Sequence, residues 1–331
     1  MALISLTIAA AEEASKDAPA TGKAPTAVLS AKPTLINPGQ SATLAFSSTS
    51  ADVCKGSSRP HDPNFVVRDV SGNVLVRPAR TTVYTIRCKS GAASTSRRAV
   101  VTVTSDHIVL SEIFDRAIPH APETRIEEGA LLAPNWKSVY HGYGSNAVVR
   151  MFDGQALSVR PKESTSTDET HAGLISGPFP SWPLDVKGNF AIEAAFHTEA
   201  QLRRQNAPNP WEVAWLLWDY VDDKHFYYFI PKPNGWELGK ADPAYPGYQR
   251  FLASGNRPTY PIGNRYVVKI VQAALPTSTT LSVFVDGVPL TTFTDRERPY
   301  TSGLVGLYAE DALAYFHSIA VTIPHAKAAI K

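Results

Sequence analysis

Residues Trp211 to Pro231 read WEVAWLLWDYVDDKHFYYFIP, two bulky runs on either side of the charged turn Asp222-Asp223-Lys224. With a period of two, Glu212, Ala214, Leu216, Trp218 and Tyr220 share one face of the first run, and Val213, Trp215, Leu217 and Asp219 share the other. In the second run His225, Tyr227 and Phe229 oppose Phe226, Tyr228 and Ile230. Bulk on both faces predicts a central strand pair, covered on one side by core and on the other by a cleft. Asp222-Asp223-Lys224 then forms a solvated hairpin tip. Working outward, about thirteen strand-like segments lie between residues 107 and 322, bounded by Gly, Pro, Asn and Asp. Val285-Asp286-Gly287-Val288 is the plainest hairpin among them. No amphipathic helix accompanies these segments, which excludes Rossmann and TIM-barrel architectures and leaves antiparallel sheets packed face to face.

The chain has 331 residues, too many for one ordinary core and enough for two. Its formal net charge of +2 argues against a nucleic-acid stripe and against a polybasic membrane patch. No apolar run reaches the roughly 20 residues of a membrane span, so membrane insertion is not expected. Residues 1–25 divide into MALISLTIAAA, Met1 to Ala11, and an Ala/Pro/Lys/Glu-rich stretch. The first has the apolar character of a signal segment but lacks its basic start, so signal remnant and simple apolar tail both stay open. The second reads as a disordered linker.

Residues 26–104 form a small module of short strands. It contains both cysteines, Cys54 and Cys88. Thr82, Tyr84, Ile86 and Cys88 share a face, so the thiol lies with the buried residues. Neither cysteine sits in a Cys-x-x-Cys and no histidine pair stands at zinc spacing, so a Cys54–Cys88 disulfide is expected over a metal site or two separate thiols. That implies an oxidising compartment and a secreted or surface location, with the periplasm also open. Ser30-Ala31-Lys32-Pro33, Pro38-Gly39-Gln40-Ser41-Ala42-Thr43-Leu44 and Thr81 to Cys88 (TTVYTIRC) resemble the bacterial immunoglobulin-like repeats appended to secreted enzymes and surface proteins. The resemblance implies a spacer or adhesion module without catalysis. Phe46 stands where those repeats often carry Trp.

Residues 106–325 hold all six tryptophans: Trp136, Trp182, Trp211, Trp215, Trp218 and Trp236. The order Asn189 to Phe196, Trp215 to Tyr220, His225 to Ile230, Arg265 to Ile270, Leu281 to Gly287 and Ser302 to Tyr308 resembles the concanavalin A-like jelly roll of lectins, laminin-G-like domains and family-16-type glycoside hydrolases. The expected fold class is therefore all-β: a small immunoglobulin-like sandwich followed by a larger concanavalin A-like jelly-roll sandwich. Fold alone does not specify activity.

Aromatic faces stack on sugar rings, and the richest aromatic and charged stretch is 211–250. The candidate binding residues are Trp211, Trp218, Tyr220, His225, Tyr227, Trp236, Lys240, Tyr245, Tyr248 and Arg250, lining a groove for a polysaccharide or oligosaccharide. A hydrolase needs two carboxylates about 5–5.5 Å or about 6.5–9.5 Å apart. Glu193, Glu212 and Glu237 are the candidates, with Asp219 and Asp242 nearby in sequence. The Glu-x-Asp-x-x-Glu or Glu-x-Asp-x-Glu strand of family-16-type enzymes is missing, which puts binding ahead of cleavage. A lyase, using His225, Tyr227 or Tyr228 beside Arg250, is a further alternative, and a structural or adhesive surface or virion component another. No organic cofactor is expected. The jelly-roll resemblance implies one structural calcium, with Glu112, Asp115 and Asp311 as ligands; His317 stands where relatives commonly have Asp.

Overall fold

The structure is a computed structural model. It describes residues 24–114, 125–126, 131–132, 136–140, 144–163, 170–176 and 186–324. Met1 to Ala11, most of the expected linker, Asp115 and Trp182 lie outside the described residues.

The small N-terminal sheets follow from alternating strands closed by turns. Val28–Lys32, Ala42–Ser47 and Ser71–Val76 make a three-stranded antiparallel sheet with Ala42–Ser47 in the middle. Leu35–Ile36, Ala93–Val103, Thr82–Ser90 and Val53–Arg59 make a four-stranded sheet in that order. Leu44, Phe46, Phe65, Tyr84, Ile86 and Val101 pack between them. Thr82, Tyr84, Ile86 and Cys88 are buried on one face, as their spacing predicts. Cys54 stands directly opposite Cys88 in the strand register and is bonded to it across 34 residues of chain.

Among the described residues, the larger sandwich consists of two nine-stranded antiparallel sheets. The first runs Leu131–Leu132, Trp136–Val139, His171–Ser176, Ser302–Glu310, Ala214–Asp222, His225–Lys232, Gly235–Ala241 and Gln249–Gly255, with Val186–Lys187 also on Ser302–Glu310. The second runs Val288–Asp295, Ser278–Val285, Tyr266–Leu275, Phe190–Gln201, Ala312–Ile323, Gly154–Pro161, Gly144–Met151 and Arg125–Ile126, with His107–Glu112 on Ala312–Ile323. The crossovers between the sheets are those of a jelly-roll sandwich. The only helical element among the described residues is a single 3-10 turn, Pro246–Tyr248. The chain is all-β, the class its sequence predicts. No described helix is long and apolar enough to cross a membrane.

The strand pair Ala214–Asp222 and His225–Lys232 is central, as expected. Ala214, Leu216, Trp218, Tyr227 and Phe229 fill the space between the two sheets. Val213, Trp215, Leu217, Phe226, Tyr228 and Ile230 form a second buried cluster on the opposite face of the same sheet. That face is packed with bulk, so the cleft expected beneath these strands is corrected to a second apolar layer.

The alternation breaks at Asp219. This residue has φ of +49°, and the pairing register shifts on both sides of the strand between Leu217 and Asp222. The bulge carries Tyr220 onto the face of Trp215 and Phe226 rather than that of Trp218. Asp219 is buried and accepts from the Gln272 side chain at 2.9 Å, while Gln272 accepts from the Trp218 indole at 3.2 Å.

The small sheets lie against the sandwich through polar contacts. Lys32 donates to the Gln155 carbonyl. The Thr102 hydroxyl donates to Glu193 at 3.2 Å.

Candidate functional site

Antiparallel hairpins return their turns to one end of a sheet. Three connections meet at the same end of the first sheet: the turn Asp222–His225, the loop Asp242–Gln249, and the segment Asp295–Tyr300 arriving from the second sheet. Lys240 is the hub. Its ammonium, fully buried, donates to Asp295 at 2.9 Å and to the carbonyls of Glu297 at 2.7 Å and Arg298 at 3.0 Å. Asp242 lies 3.4 Å from the same nitrogen. Asp295 also accepts from the Tyr227 hydroxyl at 2.8 Å, from Arg250 at 3.0 Å and from the backbone N–H of Glu297 at 3.0 Å. A buried ion pair with this many donors is fully satisfied, which makes it a rigid anchor rather than a liability.

Above the anchor lies the solvent layer. Tyr245 is half-buried and donates its hydroxyl to Glu297 at 2.7 Å. The guanidinium carbons of Arg250 and Arg298 sit 5.3 Å and 5.8 Å from its ring centroid. Arg250 pairs with Glu297 at 3.1 Å, and Arg298 pairs with Asp242 at 3.0 Å and Glu297 at 3.2 Å. Tyr300 packs its ring under the Lys240 ammonium at 4.8 Å and meets the His225 ring edge-on at 6.0 Å. His225 takes its orientation from Asp222, 2.7 Å from Nδ1. Tyr248 lies beside this loop, half exposed, with the Lys224 ammonium 4.5 Å from its ring.

The electrostatics follow from the pairing. Burial opposes ionisation of Asp295, but hydrogen bonds from Lys240, Glu297 N–H and Tyr227 outweigh it and hold the carboxyl below its usual range. Asp242 is held down likewise, burial being overcome by the Ala244 N–H, Arg298 and Lys240. Glu297 is lowered first by the Tyr245 hydrogen bond. All three carboxylates are therefore ionised at neutral pH, matched by Lys240, Arg250 and Arg298. The surface is close to neutral yet dense in donors and acceptors around a half-buried phenol.

The candidate binding residues divide accordingly. His225, Lys240, Tyr245, Tyr248 and Arg250 gather at this end, and Tyr227 supports it from below through its hydroxyl. Tyr220 reaches the same turn by donating its hydroxyl to Asp223 at 2.6 Å. Three expectations are corrected. Trp218 has no exposed surface and is wedged between the sheets, so it presents no face to a ligand. Trp236 is buried in the same core, its indole donating to the Arg257 carbonyl at 2.9 Å. Trp211 is exposed but precedes the strand Ala214–Asp222, whose far end carries the loop cluster; nine residues of strand, roughly 30 Å, separate them.

The expected catalytic carboxylates are not assembled into a pair. Glu193 lies in the second sheet at the contact with Thr102, where burial raises its pKa. Glu212 is fully buried and accepts from Arg203 and Asn209, both at 2.6 Å. Glu237 accepts from the Tyr228 hydroxyl and from Lys232, both at 2.9 Å.

The calcium expectation meets the same kind of obstacle. Asp311 pairs with Arg203 at 2.9 Å and accepts from the Thr170 N–H and hydroxyl at 2.8 Å and 2.7 Å. Glu112 accepts the Phe114 N–H at 2.6 Å. His317 is engaged with Arg265 and His197. Asp115 lies outside the described residues. Among the described residues no three His, Cys, Asp or Glu side chains are grouped as a metal ion requires, and these donors do not fit calcium.

Asp295, Glu297, Arg298 and Tyr300 were missed by the sequence reading. The signal available was the run Asp295-Arg296-Glu297-Arg298-Pro299-Tyr300, charges of alternating sign closing a strand before Pro and Tyr.

No family model matches the sequence, and no curated protein is detectably similar to it. Solved structures similar to it include the exoplasmic/lumenal domain of VIP36 in its metal-free form, at 9% identity over 59% of this chain and 87% of that one, with a TM-score of 0.38. The seed lectin of Lotus tetragonolobus is similar at 11% identity over 60% and 97%, TM-score 0.37. Sheep galectin-11 in complex with glycerol is similar at 12% identity over 41% and 92%, TM-score 0.29. Likenesses this loose establish neither a site nor a ligand.

Proposed function

We propose that this is a secreted or cell-surface carbohydrate-binding protein, in which residues 106–325 form a concanavalin A-like domain and residues 26–104 an immunoglobulin-like spacer. The observation that carries the reading is the loop cluster around Tyr245. A half-buried phenol ring is flanked by Arg250, Arg298 and Glu297 on a buried Lys240–Asp295 anchor. A sugar ring offers an apolar face for the phenol and hydroxyls for alternating donors and acceptors. Preorganisation by the anchor lowers the entropy cost of binding. The disulfide supports an oxidising compartment. No resident calcium or organic cofactor is included in this reading.

Binding is favoured over cleavage on charge grounds. A glycosidase needs one carboxyl that keeps its proton near neutral pH. Asp242, Asp295 and Glu297 are all shifted the other way by the cations beside them. The test is a glycan array with the full chain, followed by reducing-end and unsaturated-uronate assays on whatever binds. Retention of glycans that Tyr245→Ala abolishes supports the reading. A blank array overturns it, and release of reducing ends or unsaturated uronates replaces it with the hydrolase or lyase alternative. An adhesive role toward protein would give a blank array and an intact protein-binding surface.

A further inference from the structure

A chain of polar groups, exposed at its Glu199 end and buried at His317 and Asp153, runs along the second sheet to the contact with the N-terminal sheets. Asp153 accepts from Arg265 at 2.6 Å. The other end of that guanidinium lies 2.7 Å from His317 Nδ1. His317 Nε2 lies 3.0 Å from His197 Nδ1, and His197 Nε2 lies 3.2 Å from Glu199. The two imidazoles are stacked, centroids 5.1 Å apart and planes 16° from parallel.

Arginine can only donate, and this single fact assigns every proton in the chain. His317 Nδ1 must be bare to accept from Arg265, so its proton is on Nε2. That proton points at His197 Nδ1, which must also be bare. The His197 proton is then on Nε2, donated to Glu199. Both histidines are neutral and no ring position is left over. A further proton has two places to go. On His317 Nδ1 it faces the guanidinium, and on His197 Nδ1 it faces the His317 N–H. In either place two donors oppose each other and a second cation joins Arg265 in a buried site.

We infer that acidification releases the N-terminal sheets from the sandwich through the His197–His317 pair. The link is charge: a protonated His317 meets Arg265 at 2.7 Å and also opposes Lys32 of the N-terminal sheets, which donates to the Gln155 carbonyl at the seam. The groups facing the pair are known on all sides. Glu199 and Asp153 favour a charged His197, the Tyr315 ring lies 5.3 Å from it, and Arg265 and Lys32 oppose a charge on His317. Burial and Arg265 prevail, and both histidines are shifted below their ordinary range.

The sign is set by linkage. A histidine neutral in the docked state and ordinary when exposed leaves docking at full strength above about pH 6.5, and docking weakens as pH falls below that value.

The experiment is hydrogen exchange on the full chain, corrected for intrinsic rates, between about pH 7.5 and about pH 5. Peptides covering residues 28–32 and 153–157 are expected to exchange at least about tenfold faster at the lower pH, while the Thr82–Ser90 strand stays protected. In His197→Gln/His317→Gln each glutamine keeps one donor and one acceptor but takes no proton, so the acid step is expected to vanish. Unchanged exchange in the wild type overturns the proposal, as does an acid step that persists in the double variant. If that variant is undocked at every pH, imidazole nitrogen-15 spectra of the wild type decide. Two neutral Nε2–H rings at neutral pH support the proposal, and any Nδ1–H ring or imidazolium there overturns it.

Discussion

Lys240 Nζ lies 2.9 Å from Asp295 Oδ2, and neither side chain has any exposed surface. The pair joins a strand of one sheet to the last residue of a strand in the other. Around it the Asp242–Gln249 loop and the Asp295–Tyr300 segment are fixed against each other, which gives the half-buried Tyr245 layer a rigid floor.

Lys240→Met removes the cation and leaves two buried carboxylates facing each other. Losing one partner of a buried pair costs about 3–5 kcal/mol, and the low end is expected because Arg250 and Tyr227 still donate to Asp295. Urea denaturation measures it. A variant as stable as the wild type would show that the anchor does not hold the loops.

Tyr245→Ala and Trp218→Ala separate surface from core. Tyr245 is only half-buried, so its loss costs no more than about 1 kcal/mol of stability and weakens saccharide binding about tenfold. Trp218 is wholly buried, and truncating it costs about 3–5 kcal/mol of folding free energy. Calorimetric binding and thermal melts on the two variants check the contrast.

The loop cluster has its own pH dependence. Asp242, Asp295 and Glu297 are all more acidic folded than unfolded. Their contribution is complete above the unfolded carboxyl values, about 4, and is lost as pH falls through the lower folded values. Saccharide affinity is therefore expected to be flat from neutral pH to about pH 4 and to decline below, whereas docking of the N-terminal sheets begins to weaken already below about 6.5. A binding titration across this range tests the flat region and the different onsets.

Glu193 behaves in the opposite sense. Burial raises its pKa at the contact with Thr102, and Lys269 only partly offsets this. A raised carboxyl favours folding below the unfolded value, about 4.3, and loses that contribution as pH rises through the folded one. Glu193→Gln keeps a partner for Thr102 and removes the ionisation cost. Its melting temperature is expected to exceed that of the wild type at about pH 8 and to match it at about pH 4, as scanning calorimetry would record.

Cys54→Ser/Cys88→Ser opens a loop of 34 residues in the smaller core. Removing such a cross-link costs about 2–5 kcal/mol. The loss is expected in the melting of the N-terminal sheets, with saccharide binding at the distant loop cluster unchanged.

Periodicity made the two central strands legible residue by residue, because side-chain direction in a strand is a local property. It held through Trp218 and failed at Tyr220. The bulge at Asp219 is shaped by the neighbouring strand, where a Cβ on Gly303 would come within 2.3 Å of the Asp219 backbone. The two bulky faces could not be ranked from sequence either. Which of them meets the opposite sheet depends on packing, and that packing took Trp218 and Trp236 out of the candidate site.

By itself the sequence determined an all-β chain, the partner of each cysteine and a local stretch holding Lys240, Tyr245 and Arg250. These follow from alternation, turn residues and composition, all short in range. Only the tertiary structure brought Asp295, Glu297, Arg298 and Tyr300 onto that stretch, some 45 to 60 residues further along the chain, and only it assigned Glu193, Glu212 and Asp311 to buried polar contacts. The physical reason is that a charge takes its role from the partner it meets. In this sandwich Lys240 meets Asp295, Arg203 meets Asp311 and His317 meets His197, all partners distant in sequence, so these roles were settled by the packing of the two sheets rather than by any run of residues.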